Sequence, residues 1–262
     1  MGIGMEILNG TRMKRLKQNF TDALFICVCI GWLSSCNKPN SPDCFQHAGD
    51  YTTEKRLLDE FSSIEIRDYI QIELCDSTES FTEITAPENL IPDIITEVEN
   101  GKLFIRNENS CNWVRSFQNK ITVRICAPDF HDIQHYGTGN VSSVNTIQSN
   151  YFRMENRQAA GVAQLDMEVD SCAILIHTGV SDFALTGHCH KAELYNQGWG
   201  ILDARNLVTH TALVNNSTIN DIYVHATDYL FGFIAFSGNI YYKGNPGIDS
   251  EIEGDGQLIP VE

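Results

Sequence analysis

The sequence predicts an all-β fold: one domain, a β-solenoid-like stack of two-strand coils with glycine-rich corners. Three observations carry this. A turn-and-strand unit recurs through the C-terminal half with a period near 19 residues, apolar and polar residues alternate inside each unit, and glycine or asparagine marks the boundaries.

The repeat occupies residues 137–262. Its units read YGTGNVSS, AAGVAQLDM, HTGVSDFALTG, NQGWGILDA, NNSTINDIYVHA, FSGNIYYKG and EGDGQLIPV. Their leading apolar residues are Val141, Leu165, Phe183, Leu202, Ile222, Ile240 and Leu258, separated by 24, 18, 19, 20, 18 and 18 residues. No single unit buries its apolar edge alone. Stacking sets Phe183 above Leu202 above Ile222 in a continuous core. Period-two alternation then points Phe183 and Leu185 inward and Ala184 and Thr186 outward. Ile222 and Val224 repeat the scheme, with Tyr223 and His225 outside.

Residues 57–136 are also strand-rich but lack the glycine corners. Segments such as IEIRDYIQIELC, IITEVENGKLFIRN and KITVRICA alternate or run β-branched, and Asn100-Gly101 signals a hairpin. This half is expected to cap the first coil, because a bare solenoid end invites edge-to-edge pairing. No linker separates the halves, so residues 57–262 read as one domain.

The N-terminus reads as an address. A basic cluster, Arg12, Lys14, Arg15 and Lys17, precedes an apolar run from Ala23 to Leu33. That run is shorter than the roughly 20 residues of a spanning helix and suits a signal peptide over 1–35. Met1 or Met13 is the start. Leu33-Ser34-Ser35-Cys36 has the form of a lipobox, which makes Cys36 the lipidation site. Several acyl chains there would give stable membrane anchoring. Residues 36–56 then form a polar, proline-bearing tether. The expected location is the outer membrane, lipid-anchored, on the periplasmic face or the cell surface.

Six cysteines follow the lipid site. Cys44 and Cys111 lie in polar, loop-like surroundings and are the expected disulfide; Cys126, Cys172 and Cys189 lie in apolar stretches and read as small core residues. The formal net charge is −16, and the first 35 residues carry more basic than acidic groups, so the rest is more acidic still. Such a surface repels phosphates and excludes nucleic acid as a partner.

The segments FSSIEIRDYIQIEL, ENLIPDIITEVENGKLFIRN and CNWVRS, together with the GxG-punctuated coils, resemble the head GIN domain family of adhesin-like proteins of Bacteroidetes. The resemblance covers roughly residues 57–258. It implies a right-handed β-helix related in shape to pectin lyases, no recognised catalytic set, and a role in adhesion. The corners Gly161-Val162-Ala163, Gly198-Trp199-Gly200 and Asn216-Ser217-Thr218 depart from the family's GSG form.

No catalytic constellation is legible. The outward acids Asp166, Glu168 and Asp203 fall on different units, and a lyase or hydrolase needs a paired or calcium-holding set on one face. His188-Cys189-His190 places two histidines on one strand face, with His210 or His225 as a conceivable third ligand, but two exposed histidines are commonly incidental. No metal and no cofactor are expected. The candidate ligand-binding residues are aromatic: Tyr223 and Tyr241 at equivalent positions of successive units, and Trp199 at the corner before them. The expected function is a cell-envelope binding or adhesion module without catalysis, whose partner is a glycan or an envelope or host protein. A periplasm-facing structural lipoprotein of an envelope complex is the alternative, and a carbohydrate-active β-helix enzyme ranks below both.

Overall fold

The computed structural model describes residues 48–109 and 119–262. The signal peptide, Cys36, most of the tether and the pair Cys44 and Cys111 lie outside the described residues. The strands of the first half are β1 (Tyr51–Leu57), β2 (Ser63–Ile66), β3 (Gln71–Asp76), β4 (Phe81–Pro87), β5 (Ile94–Glu99), β6 (Lys102–Asn107), β7 (Thr122–Ala127) and β8 (Asp132–His135). Those of the second are β9 (Val141–Ser143), β10 (Ile147–Asn156), β11 (Ala159–Ile176), β12 (Gly179–Asn196), β13 (Leu202–Asn216), β14 (Ile222–Ile234), β15 (Ile240–Lys243), β16 (Gly247–Ile252) and β17 (Leu258–Pro260). A 3-10 turn at Ile91–Asp93 is the one helical element among the described residues.

These strands join in one 17-stranded sheet that winds into a β-solenoid. From β8 onward the winding is sequential and parallel. Strand β10 pairs with β8 and β11, then β11 with β12, β12 with β13, β13 with β14, and β14 with β15 and β16. One inward column runs Val141, Ala163, Phe183, Leu202, Ile222, Ile240, Leu258. All but Leu258 are buried. The order Phe183, Leu202, Ile222 is the one the repeat predicts. Leu165, however, pairs with Leu185 in the next inward column, and Ala163 takes the predicted place. Ala163 sits directly under the much larger Phe183, so small packs against large.

The coils differ from two separate short segments in one respect. Strands β11 to β14 each run through a bend and carry both halves of their coil, with register shifts interrupting the β12–β13 and β13–β14 ladders. In β12 the bend falls at Gly187, whose φ is +102° and where an added Cβ would lie 2.1 Å from the Met167 carbonyl oxygen. Only glycine accepts that backbone approach at that angle.

The first half is wound out of sequence order. Strands β2 and β3 form a coil that lies between β6–β7 on one side and β8–β9 on the other, all in parallel. The chain leaves this coil, builds β4 and β5, returns through β6 and β7, and crosses to β8. Beyond β6–β7 the pairing turns antiparallel: β5 on β6, β4 on β7 and β1 on β4. The β5–β6 hairpin has the two-residue loop Asn100-Gly101, with φ of +52° and +75°. Positive φ at both positions matches the twist of the flanking strands.

Candidate functional site

The C-terminal coils are shaped at their first corner by buried asparagines. Asn156, Ile176, Asn196, Asn216 and Ile234 stack in one inward column at the ends of β10 to β14. Asn196 is fully buried; its Oδ1 accepts from the Gly198 N–H at 3.0 Å and its Nδ2 donates to the Gly200 carbonyl at 2.9 Å. Asn216 donates from Nδ2 to the Asn220 and Asn239 carbonyls, the second on the next coil. These bonds occupy corner backbone groups, and the Asn239 carbonyl also accepts from the Ile222 N–H at 2.9 Å.

The pinned corner turns apolar side chains outward. Trp199 is 67% exposed, Val180 58%, Ile219 57% and Phe236 57%, on successive turns of the same corner. The sequence singled out Trp199 alone of this ridge.

After the corner, the outward positions of the next strand carry Asp203, Tyr223 and Tyr241 in register. The two tyrosine rings stack with centroids 5.1 Å apart and planes 12° from parallel. Arg205, on the coil before, lies over Tyr223 at 4.1 Å from the ring centroid. Asp203 grips this guanidinium from both oxygens, at 2.9 and 2.8 Å, and the bond raises the Arg205 pKa. Burial, then the negative charge of Asp221, raises the Tyr223 pKa above its ordinary value. The structure thus brings Tyr223 and Tyr241 together, with Trp199 at the adjoining corner. Neighbours on the coils before and after cover the faces of Tyr223, so an incoming ligand meets ring edges and hydroxyls.

On the far side of the corner, the outward face of the second half-coils forms a groove of about 430 Å³. Its floor is Tyr195, Leu213, Phe231 and Phe233, and Glu193 and Glu251 stand at it. Glu193, Leu213 and Phe231 are register partners, as are Tyr195, Asn215, Phe233 and Glu251. The sequence reading missed this groove. Inward Leu230 and Ile234 and outward Phe231 and Phe233 are all apolar, so period-two alternation does not report the second face. The usable signal was the aromatic pair Phe231-x-Phe233 itself.

A depression of about 510 Å³ at the opposite bend is polar, lined by Asp129, Gln148, Ser149, Glu168 and Asp170 among others. The acids that the sequence placed outward are each locally paired. Asp166 accepts from the Thr146 and Thr186 hydroxyls, which lowers its pKa; Glu168 contacts His188 at 3.3 Å; and Asp203 holds Arg205. His188 and His190 go separate ways. His190 lies against the ring of His210, centroids 4.8 Å apart, and His210 contacts Asp228 at 3.0 Å. Among the described residues no three His, Cys, Asp or Glu side chains converge as a metal site.

A charged cluster that the sequence did not suggest links β8, β10 and the turns after β10 and β11. Glu155 is nearly buried and is held by Arg153, Arg157 and His177, while Arg153 also reaches Asp132. Burial opposes ionisation of Glu155, but the two guanidinium bonds outweigh it and lower its pKa. The cluster stitches coils together.

The family described as "Putative auto-transporter adhesin, head GIN domain" matches residues 60–246. A putative adhesin from Bacteroides fragilis NCTC 9343 has a similar structure, with TM-score 0.74 and 24% identity, over 81% of this chain and 97% of that one. A putative adhesin from Parabacteroides distasonis ATCC 8503 gives TM-score 0.65 at 19% identity, over 81% and 98%. A protein from the same strain described as a putative lipid binding protein gives 0.60 at 20%, over 82% and 98%. At these identities the likeness establishes the fold. No curated protein matches. The match over residues 60–246, on a solenoid of the same shape, makes this chain a member of the head GIN domain family.

Proposed function

We propose that this protein is a non-catalytic binding module of the cell envelope, anchored in the outer membrane through lipid on Cys36, and that its C-terminal coils recognise a glycan. The observation that carries the reading is the band of apolar and aromatic side chains around the first corner. It runs from the Phe231–Phe233 groove, across Trp199, Ile219 and Phe236, to Tyr223 and Tyr241. Monomeric surfaces rarely hold so many large apolar groups in water without a partner. Aromatic rings beside carboxylates suit sugars, whose C–H faces pack on rings while hydroxyls donate to acids such as Glu193 and Glu251. The family description and the neighbours described as adhesins agree with binding rather than chemistry.

A glycan array probed with the lipid-free mature chain tests recognition. Saturable binding to a restricted set of glycans is expected, and silence across the array with capture of an envelope protein would replace the glycan with a protein partner. Display is tested by protease shaving of intact cells beside a periplasmic control. Loss of the protein with the control spared is the expected result. Survival until the outer membrane is opened would contradict surface adhesion and favour a structural role inside the envelope.

A further inference from the structure

We propose that the four described cysteines close two disulfides, Cys75–Cys126 and Cys172–Cys189, each fastening one coil of the solenoid to the next. Among the described residues every cysteine has another as its neighbour. Cys75 on β3 and Cys126 on β7 are direct register partners in adjacent parallel strands. Registered residues of parallel strands project to the same face about 4.8 Å apart, inside the Cα separation of 4.4–6.8 Å that a disulfide spans. Cys172 on β11 and Cys189 on β12 are both buried, with their sulfurs 3.5 Å apart. Closing that gap to the roughly 2.0 Å of an S–S bond moves the sulfurs by about 1.5 Å. Cysteine as simple core filler accounts for burial, but not for matched pairs across two different coil boundaries.

The two bonds have different structural duties. Cys75–Cys126 would lock the coil of β2 and β3 to that of β6 and β7, the two coils the chain visits out of order, and enclose the antiparallel excursion between them. Cys172–Cys189 would fasten β11 to β12 beside the bend at Gly187. The Cys189 thiol lies 3.5 Å from the Cys172 sulfur and donates to the Lys191 carbonyl at 3.1 Å. The chemistry is thiol–disulfide exchange. A cysteine thiolate attacks an external disulfide and releases one thiol; the second cysteine loses its proton, attacks the mixed disulfide and releases the other. Two S–H bonds are lost and one S–S bond forms, while the external disulfide takes up the two electrons. Because three of the four side chains are buried, exchange occurs while the coils are still closing.

The test is refolding of the reduced full chain in glutathione and glutathione disulfide. Alkylation without reduction and peptide mapping follow. The expected result includes two linked peptide pairs, 75 with 126 and 172 with 189, in a β-rich product, whatever the state of Cys44 and Cys111. Cys172→Ala should lose only the second link. Adding reductant to the oxidised wild type should speed its proteolysis about tenfold or more. Three results would overturn the proposal: a folded chain with these thiols still free, links to other cysteines, or folding that succeeds in reductant and fails in the redox mixture.

Discussion

His135 shows how a single side chain sets the acid limb of stability. It is buried between Ile66 and Asn156 in the stack, both ring nitrogens lack a protein partner, and burial pushes its pKa down to about 4. In the unfolded chain the value is near 6.5. Between those values the unfolded state binds a proton that the folded state refuses. Stability therefore falls as pH drops below about 6.5, and this loss is complete near pH 4, on the order of 3 kcal/mol. Glu155 acts over a lower window. Its folded pKa is depressed, so its contribution is present above the unfolded carboxylate range and is lost as pH falls through the folded value. Urea midpoints measured from pH 7 to pH 3 should fall throughout, and His135→Leu should flatten the part between pH 6.5 and 4. A second residue prediction concerns the corner. Asn196→Ala leaves the Gly198 N–H and Gly200 carbonyl without their partner, at a cost of about 1–3 kcal/mol in unfolding free energy. An unchanged midpoint would mean that water replaces the amide.

Strands show where the sequence was legible and where it was not. The column Phe183, Leu202, Ile222, Ile240 was readable because each coil there has nearly constant length and a large inward residue. Ala163 broke the reading one coil earlier, since a small side chain under Phe183 looks like an outward position and Leu165 looks like the anchor. The β5–β6 hairpin was legible from Asn100-Gly101 because turn chemistry is local. The insertion of β2–β3 between β6–β7 and β8–β9 was not, since pairing out of sequence order leaves no periodic trace. Two element-scale predictions follow from backbone geometry. Gly187→Ala forces a side chain into positive φ against the Met167 carbonyl and should cost about 1–3 kcal/mol from the torsion alone, read as a lowered thermal midpoint. Strand β16 pairs only with β14 among the described residues, and its exposed Asp249 and Glu251 keep the other edge charged. Charge on an edge strand opposes pairing with a second molecule, so Asp249→Val with Glu251→Val should raise the mass by light scattering as concentration increases.

Across the whole molecule, the solenoid converts a 19-residue sequence period into columns, and columns put like positions of successive coils side by side. The inward columns make the core. The outward ones make the surface: the Arg205–Tyr223–Tyr241 stack, the exposed corner ridge and the Phe231–Phe233 groove all come from register. Trp199, Tyr223 and Tyr241 were visible in the sequence as aromatic residues at repeating positions. The groove needed the structure, because it takes side chains from β12, β13, β14 and β16 at once. The most direct test of the account is calorimetric titration of a glycan found by array against the wild type, Phe231→Ala, and Tyr223→Ala with Tyr241→Ala, each first shown to be folded by circular dichroism. If the C-terminal band is the recognition surface, Phe231→Ala weakens binding about tenfold or more, as loss of a buried aromatic contact does, and the tyrosine pair weakens it as well. Wild-type affinity in both folded variants would contradict the claim that this band is where the protein binds.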